Sequence, residues 1–285
     1  MNIREIKHEA RLVLKERYWE AFVVVFACFG LYMLFKLVEI VVCTVLIYNK
    51  TIDISQLFYG GDTIWNVFKT MYSVFLFAAM VPVITGAVWW FSQAANRNEF
   101  SSDSVIQLYT CFKVNSRAIL VYGLMWIIQF LSLIPSFIML LGAYLIIEYY
   151  NISSDILYLA VQLIILSVAS LALYIRATLS LILAPYIFIR HPMDNPFSII
   201  SISFRLMKGR KMQVLKLLLS YIGYLFLMAL IVTIPFVVPE IMMSVTIFAE
   251  SVASEYAIKQ VKKEKVKTRT RRSEIGDIEV QGGMQ

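Results

Sequence analysis

AILVYGLMWIIQFLSLIPSFIMLLGAYLII, residues 118–147, holds thirty residues without a Lys, Arg, His, Asp or Glu, and its reading decides the fold. At 1.5 Å rise per residue, about 20 apolar residues cross a hydrocarbon core ~30 Å thick, so this stretch is long enough to span a bilayer as a helix. Arg117 stands at one end and Glu148 at the other. Comparable apolar windows lie at 20–47, 68–91, 156–189, 213–238 and 241–258. The expectation is an all-α polytopic membrane bundle of six transmembrane helices, residues 1–258, followed by a basic tail, 259–285.

Composition agrees. Of 285 residues, 60% are hydrophobic and 16% charged, whereas soluble domains carry about 25% charged residues. A cleavable leader would open with a short basic stretch, a brief apolar run and a small-residue cleavage site. Residues 1–18 are instead charged throughout, and the apolar segment after them reads as an uncleaved first span. Cys28, Cys43 and Cys111 match neither a disulfide framework nor a zinc site.

Orientation follows from the cations, because cytoplasmic loops hold the excess of Lys and Arg. Residues 1–18 carry five, 92–117 three, 190–211 five and the tail from 259 eight. The three alternate loops carry only Lys50, together with Asp53, Asp62, Glu148, Asp155 and Glu240. Both termini are therefore placed in the cytoplasm. Basic residues beside spans suit anionic lipid head groups, so the net charge of +7 is assigned to membrane lipids and not to nucleic acid.

Each outward span is preceded by a segment with helical apolar spacing. The first, 3–18, puts Ile3, Ile6, Ala10, Leu14 and Tyr18 on one stripe and Arg4, Lys7, Arg11 and Lys15 on another. The second starts at Ser102 or Asp103 with Val105, Ile106, Leu108, Tyr109 and Phe112, and the third at Asp194 with Pro196, Phe197, Ile200, Phe204 and Met207. Apolar residues facing a basic side are what a cytoplasmic surface helix needs. Gly123, Ile134 and Pro135 recur 100 residues later as Gly223, Ile234 and Pro235. Together these suggest one unit of surface helix, outward span and return span used three times.

Ionisable groups inside spans cost ~2.5–3.5 kcal/mol at the bilayer centre and call for partners. Lys36 and Glu39, three apart on the first span, can pair with each other. Arg176 lies inside the fourth expected span with no acidic neighbour in sequence, and Glu250 lies near mid-depth of the sixth. An interhelical Arg176–Glu250 ion pair is expected, either fixing helix packing or handling a solute. Pro82, Pro135, Pro185 and Pro235 fit simple kinks as well as the broken helices of transporters. Trp89, Trp90, Tyr149 and Tyr150 flank span ends as interfacial anchors. Asn151-Ile152-Ser153 has the form of a glycosylation acceptor but carries little weight. The stretch Lys208-Gly209-Arg210-Lys211 reads as a helix end, with Gly209 able to adopt the left-handed conformation and the cations suited to lipid phosphate.

Catalytic motifs are missing from the sequence. It has no Gly-rich phosphate loop, no His-Glu-x-x-His and no Gly-x-Ser-x-Gly. His8 and His191 stand alone beside basic residues. No enzyme activity, cofactor or metal is expected.

The opening Ile3-Arg4-Glu5-Ile6-Lys7 with Ala10, Leu14-Lys15 and Trp19 resembles the start of the bacterial membrane family catalogued as domain of unknown function 975. Ser203-Phe204-Arg205-Leu206-Met207-Lys208-Gly209, then Leu215-Lys216-Leu217 and Leu219-Ser220-Tyr221-Ile222-Gly223, is similar to that family's signature of a serine, a Met-Lys-Gly turn and an entry into the next span. The resemblance covers most of 1–258. Glu16-Arg17-Tyr18 departs from the expected Gly-Asn-like turn, and Tyr256 only loosely echoes a Tyr-rich ending. It implies a multi-pass protein of the bacterial cytoplasmic membrane without assigned catalytic or binding residues. The leading reading is a non-enzymatic scaffold or accessory subunit with unknown protein partners; the alternative is a small-solute or lipid transporter using Arg176 and Glu250.

Overall fold

The computed structural model describes residues 2–49, 63–96, 112–149, 154–224 and 236–255, and among them every regular element is an α-helix. In chain order these are α1 (Ile3–Tyr48), α2 (Thr63–Ala95), α3 (Phe112–Tyr149), α4 (Ser154–Leu181), α5 (Ala184–Arg190), α6 (Pro196–Leu206), α7 (Lys211–Leu219) and α8 (Phe236–Glu255). The second expected surface helix, Pro235 and the basic tail lie outside the described residues.

Among the described residues five stretches are long and apolar enough to cross a membrane: Ile3–Tyr48, Trp65–Ala95, Lys113–Glu148, Leu157–Arg190 and Phe236–Glu255. Of the expected fifth span, 213–238, residues 225–235 lie outside the described residues. The span begins as α7, which gives way to a turn at Ser220 and Tyr221. The expected fourth span, 156–189, falls within the stretch Leu157–Arg190, inside which α4 ends at Leu181 and α5 begins at Ala184. Pro185 sits in the first turn of α5, where its lack of an amide hydrogen cannot continue the ladder from α4.

The first surface helix and the first span follow one another across a kink within α1. Asn2 donates its amide to the Glu5 carboxylate at 2.8 Å to start α1, and helical geometry lapses once, at Arg17 (φ −128°, ψ 27°). Nothing in Glu16-Arg17-Tyr18 is a Gly or Pro, so the chain bends there without stopping. An open cleft of about 510 Å³ lies at the bend, lined by Leu12, Val13, Lys15, Glu16, Arg17 and Ala94 of α2.

α1 and α2 pair antiparallel, with the Tyr72 hydroxyl donating to the Phe35 carbonyl and Phe35 edge-on to Phe75 at 5.9 Å. α3 and α4 form the tighter hairpin. Ser136 and Ser167 face each other with Oγ atoms 3.0 Å apart, and each also donates to the other's carbonyl. Gly142 leaves room for Leu163, and Ala143 and Ala160 are buried alongside. Small residues let helix backbones approach closely where lipid supplies no hydrophobic drive for association.

The outer parts of α1–α4 expose large apolar side chains such as Leu37, Ile40, Met71, Val74, Phe137 and Val168. The core sits at the other end, where the start of α1, the end of α2, the start of α3 and α5–α8 converge. Ile6, Ala10 and Leu14, the expected lipid-facing stripe of the first surface helix, are buried in that core. The sequence periodicity is right and the partner is protein. In α6 the cap is Asn195, not Asp194, and accepts the Phe197 amide at 3.2 Å. Ile199, Ile200 and Ser203 face inward, while Phe197 is exposed.

α6 ends at a Met207 cap, and Gly209, two residues beyond, has φ +85°. Its surroundings are open, so a side chain there meets no atom and only the backbone conformation is at stake. Gly209→Val should therefore destabilise the purified protein in detergent by about 1–2 kcal/mol, the cost of a left-handed β-branched residue, whereas Gly209→Asn should lose much less. Equal thermal midpoints for the three proteins would contradict this account of the turn.

Candidate functional site

Glu250 lies largely buried on α8. The structure does not bring it to Arg176. Ser92 at the end of α2 donates to one carboxylate oxygen at 2.6 Å, and the Arg190 guanidinium at the end of α5 bonds the other. The Glu250 side chain is 12% exposed and that of Arg190 36%, so the pair lies at the edge of the core.

One turn earlier on both helices, the Tyr186 and Thr246 hydroxyls are 3.0 Å apart, and Thr246 also donates to the Met242 carbonyl at 2.8 Å. Tyr186 and Arg190 are four apart, as are Thr246 and Glu250, so α5 and α8 run parallel and join through two polar rungs. Beside them Thr85 bonds back to Val81 at 2.8 Å, and the buried Tyr122 hydroxyl abuts Thr85 without a hydrogen bond of its own among the described residues.

Arg176 has a different setting. Its side chain is exposed and, among the described residues, no carboxylate stands within ion-pair distance. The Lys211 ammonium donates to the Arg176 carbonyl at 3.4 Å. Burial, and then the Arg176 charge, hold the Lys211 amine below its ordinary value. The expected pair fails because Arg176 lies level with the basic turn after α6. Counting from Ser154, it is 22 residues along α4, about 33 Å at 1.5 Å per residue, enough to have crossed the hydrocarbon.

Of the other expected groups, Lys36 and Glu39 do pair, at 2.6 Å. Lys208 is exposed, and Arg210 bonds Glu255 near the end of α8. A further cluster was not foreseen. Lys7 donates to the Ser220 carbonyl at 2.9 Å and stands 3.9 Å from the Tyr221 ring centroid, while Arg11 bonds Glu240 at 2.8 Å and reaches the Tyr224 hydroxyl at 3.5 Å. Burial lowers the Lys7 amine below its usual value, and the bond to Glu240 raises Arg11. Tyr221 also bonds Ser244 at 2.7 Å.

Chemically this is a set of fasteners. Each of Glu240, Glu250 and Glu255 is bound to an arginine from another element. Among the described residues no group of three His, Cys, Asp or Glu side chains stands together as a metal ligand set.

Helical throughout its described regular elements and with several apolar helices of membrane length, the chain is a membrane protein by architecture. The sequence matches, over residues 1–256, the family described as "Protein of unknown function (DUF975)", and the protein belongs to that family. No curated protein and no solved structure matches the chain.

The two-rung arrangement makes a graded expectation. Glu250→Ala leaves Arg190 and Ser92 without their acceptor and should cost about 2 kcal/mol, in the range for hydrogen bonds to a charged group, while Tyr186→Phe should cost about 1 kcal/mol. Arg176→Ala should leave the thermal midpoint in detergent nearly unchanged. A loss for Arg176→Ala as large as that for Glu250→Ala would mean that Arg176 has the partner assigned here to Arg190.

Proposed function

We propose that this protein is a non-enzymatic scaffold or accessory subunit of the bacterial cytoplasmic membrane, crossing it an even number of times with both termini in the cytoplasm. The observation that carries the reading is that Glu240, Glu250 and Glu255 are each committed to an arginine on a neighbouring element, which fixes the helices relative to one another. Residues 1–258 act as one membrane domain, consistent with the shared core that joins the beginning of α1 to α8. The transporter alternative rested on Arg176 facing Glu250; with Glu250 held by Arg190 and Ser92, it has lost that site.

The basic segments give the protein its preference for anionic lipid. Exposed Lys208 and Lys216 lie on the same stretch as Arg210 and Lys211, and the tail from Lys259 to Arg272 adds eight cations against Glu264. Each cation near an anionic surface contributes about 1 kcal/mol, screened by salt.

Two measurements test the reading. Glu250→Gln removes the charge while keeping the shape. If the protein is a scaffold, any defect it causes in complementing a deletion strain should scale with lowered membrane abundance. Lost complementation at normal abundance would point to solute handling. For the lipid preference, a peptide of residues 259–272 should co-sediment with vesicles containing anionic phospholipid and dissociate between about 0.1 and 0.5 M salt, as surface charge is screened. Equal binding to purely zwitterionic vesicles would remove the electrostatic basis.

A further inference from the structure

Hydropathy assigns residues 213–238 and 241–258 to an outward and an inward crossing, which puts Glu240 on the outer face. The contacts of Glu240 point elsewhere. Its partner is Arg11, in the charged first part of α1 before the bend at Arg17. Lys7, one turn earlier on α1, bonds the Ser220 carbonyl, and Tyr18 bonds the Phe236 carbonyl at 3.4 Å. At the far end of α8, Glu250 and Glu255 bond Arg190 and Arg210.

Both ends of α8 are thus tied to cations that the charge bias places in the cytoplasm. From these contacts we infer that the chain crosses the membrane four times, through α1–α4, and that α7 and α8 stay together on the cytoplasmic side, packed against the first part of α1. The inference rests on the placement of residues 1–18 in the cytoplasm.

Three independent features support it. First, residues 211–224 and 236–255 are antiparallel partners, joined at Arg210–Glu255 and Tyr221–Ser244, with Tyr224 and Glu240 both reaching Arg11. The two arms therefore come back together at Arg11, the level at which α1 is still charged. Second, the exposed surface differs in kind. α3 exposes Trp126, Phe130, Leu131 and Phe137, as a lipid-facing helix does, whereas Phe236 is the one large apolar side chain that α8 exposes. Third, a crossing hairpin tied to Arg11 would draw Lys7 and Arg11 into hydrocarbon with it, a far less favourable place for them than the membrane surface.

The four-crossing arrangement keeps an even count. The N-terminus, the segment 92–117, the segment 190–211 and the tail all remain on one side, so the cation bias that first indicated six spans is satisfied equally by four.

The test uses the full chain with Cys28, Cys43 and Cys111 replaced by Ala, carrying a single new cysteine at Glu240→Cys or at exposed Phe236→Cys, in intact cells with a membrane-impermeant maleimide. Labelling only after permeabilisation of the cytoplasmic membrane is expected; labelling in intact cells overturns the inference. If neither cysteine reacts in either condition, a charge swap decides. Arg11→Glu and Glu240→Arg should each lower membrane abundance several-fold and together restore it, whereas failure of the double variant to recover would separate the two residues and overturn the inference. A cysteine at Asn2 provides the control. Its labelling in intact cells would mean that the cytoplasmic N-terminus itself is wrong, a failure distinct from an outward Glu240 with an inward Asn2.

Discussion

The bond between Glu250 and Arg190, completed by Ser92, is the constraint around which the core is organised. It fastens three elements that are far apart in sequence: the end of α2, the end of α5 and the last turns of α8. A carboxylate in apolar surroundings is costly unless paired and hydrogen-bonded, so its two oxygens fix two partners at once. The neighbouring Tyr186–Thr246 rung then sets the register between α5 and α8, because a slide of one residue would break both. The same device recurs at Arg11–Glu240 and Arg210–Glu255. Apolar packing gives these helices their cohesion but little register; the polar rungs supply it.

What could be read beforehand was whatever depends on local spacing. Runs of apolar residues fixed the long helices, and the three-residue interval between Lys36 and Glu39 fixed their pairing. The positive φ at Gly209 likewise follows from a helix end followed by cations. Arg176 was misassigned for a reason of length. Treating 156–189 as one crossing put it deep in the bilayer, whereas α4 alone already carries it level with Lys211. The true partner of Glu250 had a faint sequence signal. Tyr186 with Arg190, and Thr246 with Glu250, repeat the same four-residue interval on two apolar segments, which is how matching polar faces of two helices look.

Amphipathic periodicity carries a deeper ambiguity. It says that one face of a helix meets apolar material, without saying whether that material is lipid or protein. The stripe through Ile6, Ala10 and Leu14 was assigned to the inner leaflet and is buried in the core. Hydropathy of 241–258 suffers the same ambiguity in reverse, since a helix wrapped in protein and a helix wrapped in acyl chains have similar composition. What separates them is the surface left over after folding. The outer parts of α1–α4 keep large apolar side chains exposed, and α8 hardly does.

The location of the fastened groups gives the molecule its asymmetry. Away from the core, α3 and α4 meet through Ser136 and Ser167 and small residues, an interface with no interhelical charge pair among the described residues. At the end that holds the core, three carboxylate–arginine bonds and a lysine–carbonyl bond gather the beginning of α1, α7 and α8 into one body. Charge pairs with one partner near the surface keep water available to part of the pair, which limits the desolvation cost while retaining direction. The apolar hairpins can adjust to a bilayer through contacts of little angular preference, while the charge-fastened end holds its shape by bonds that tolerate little change in distance or angle.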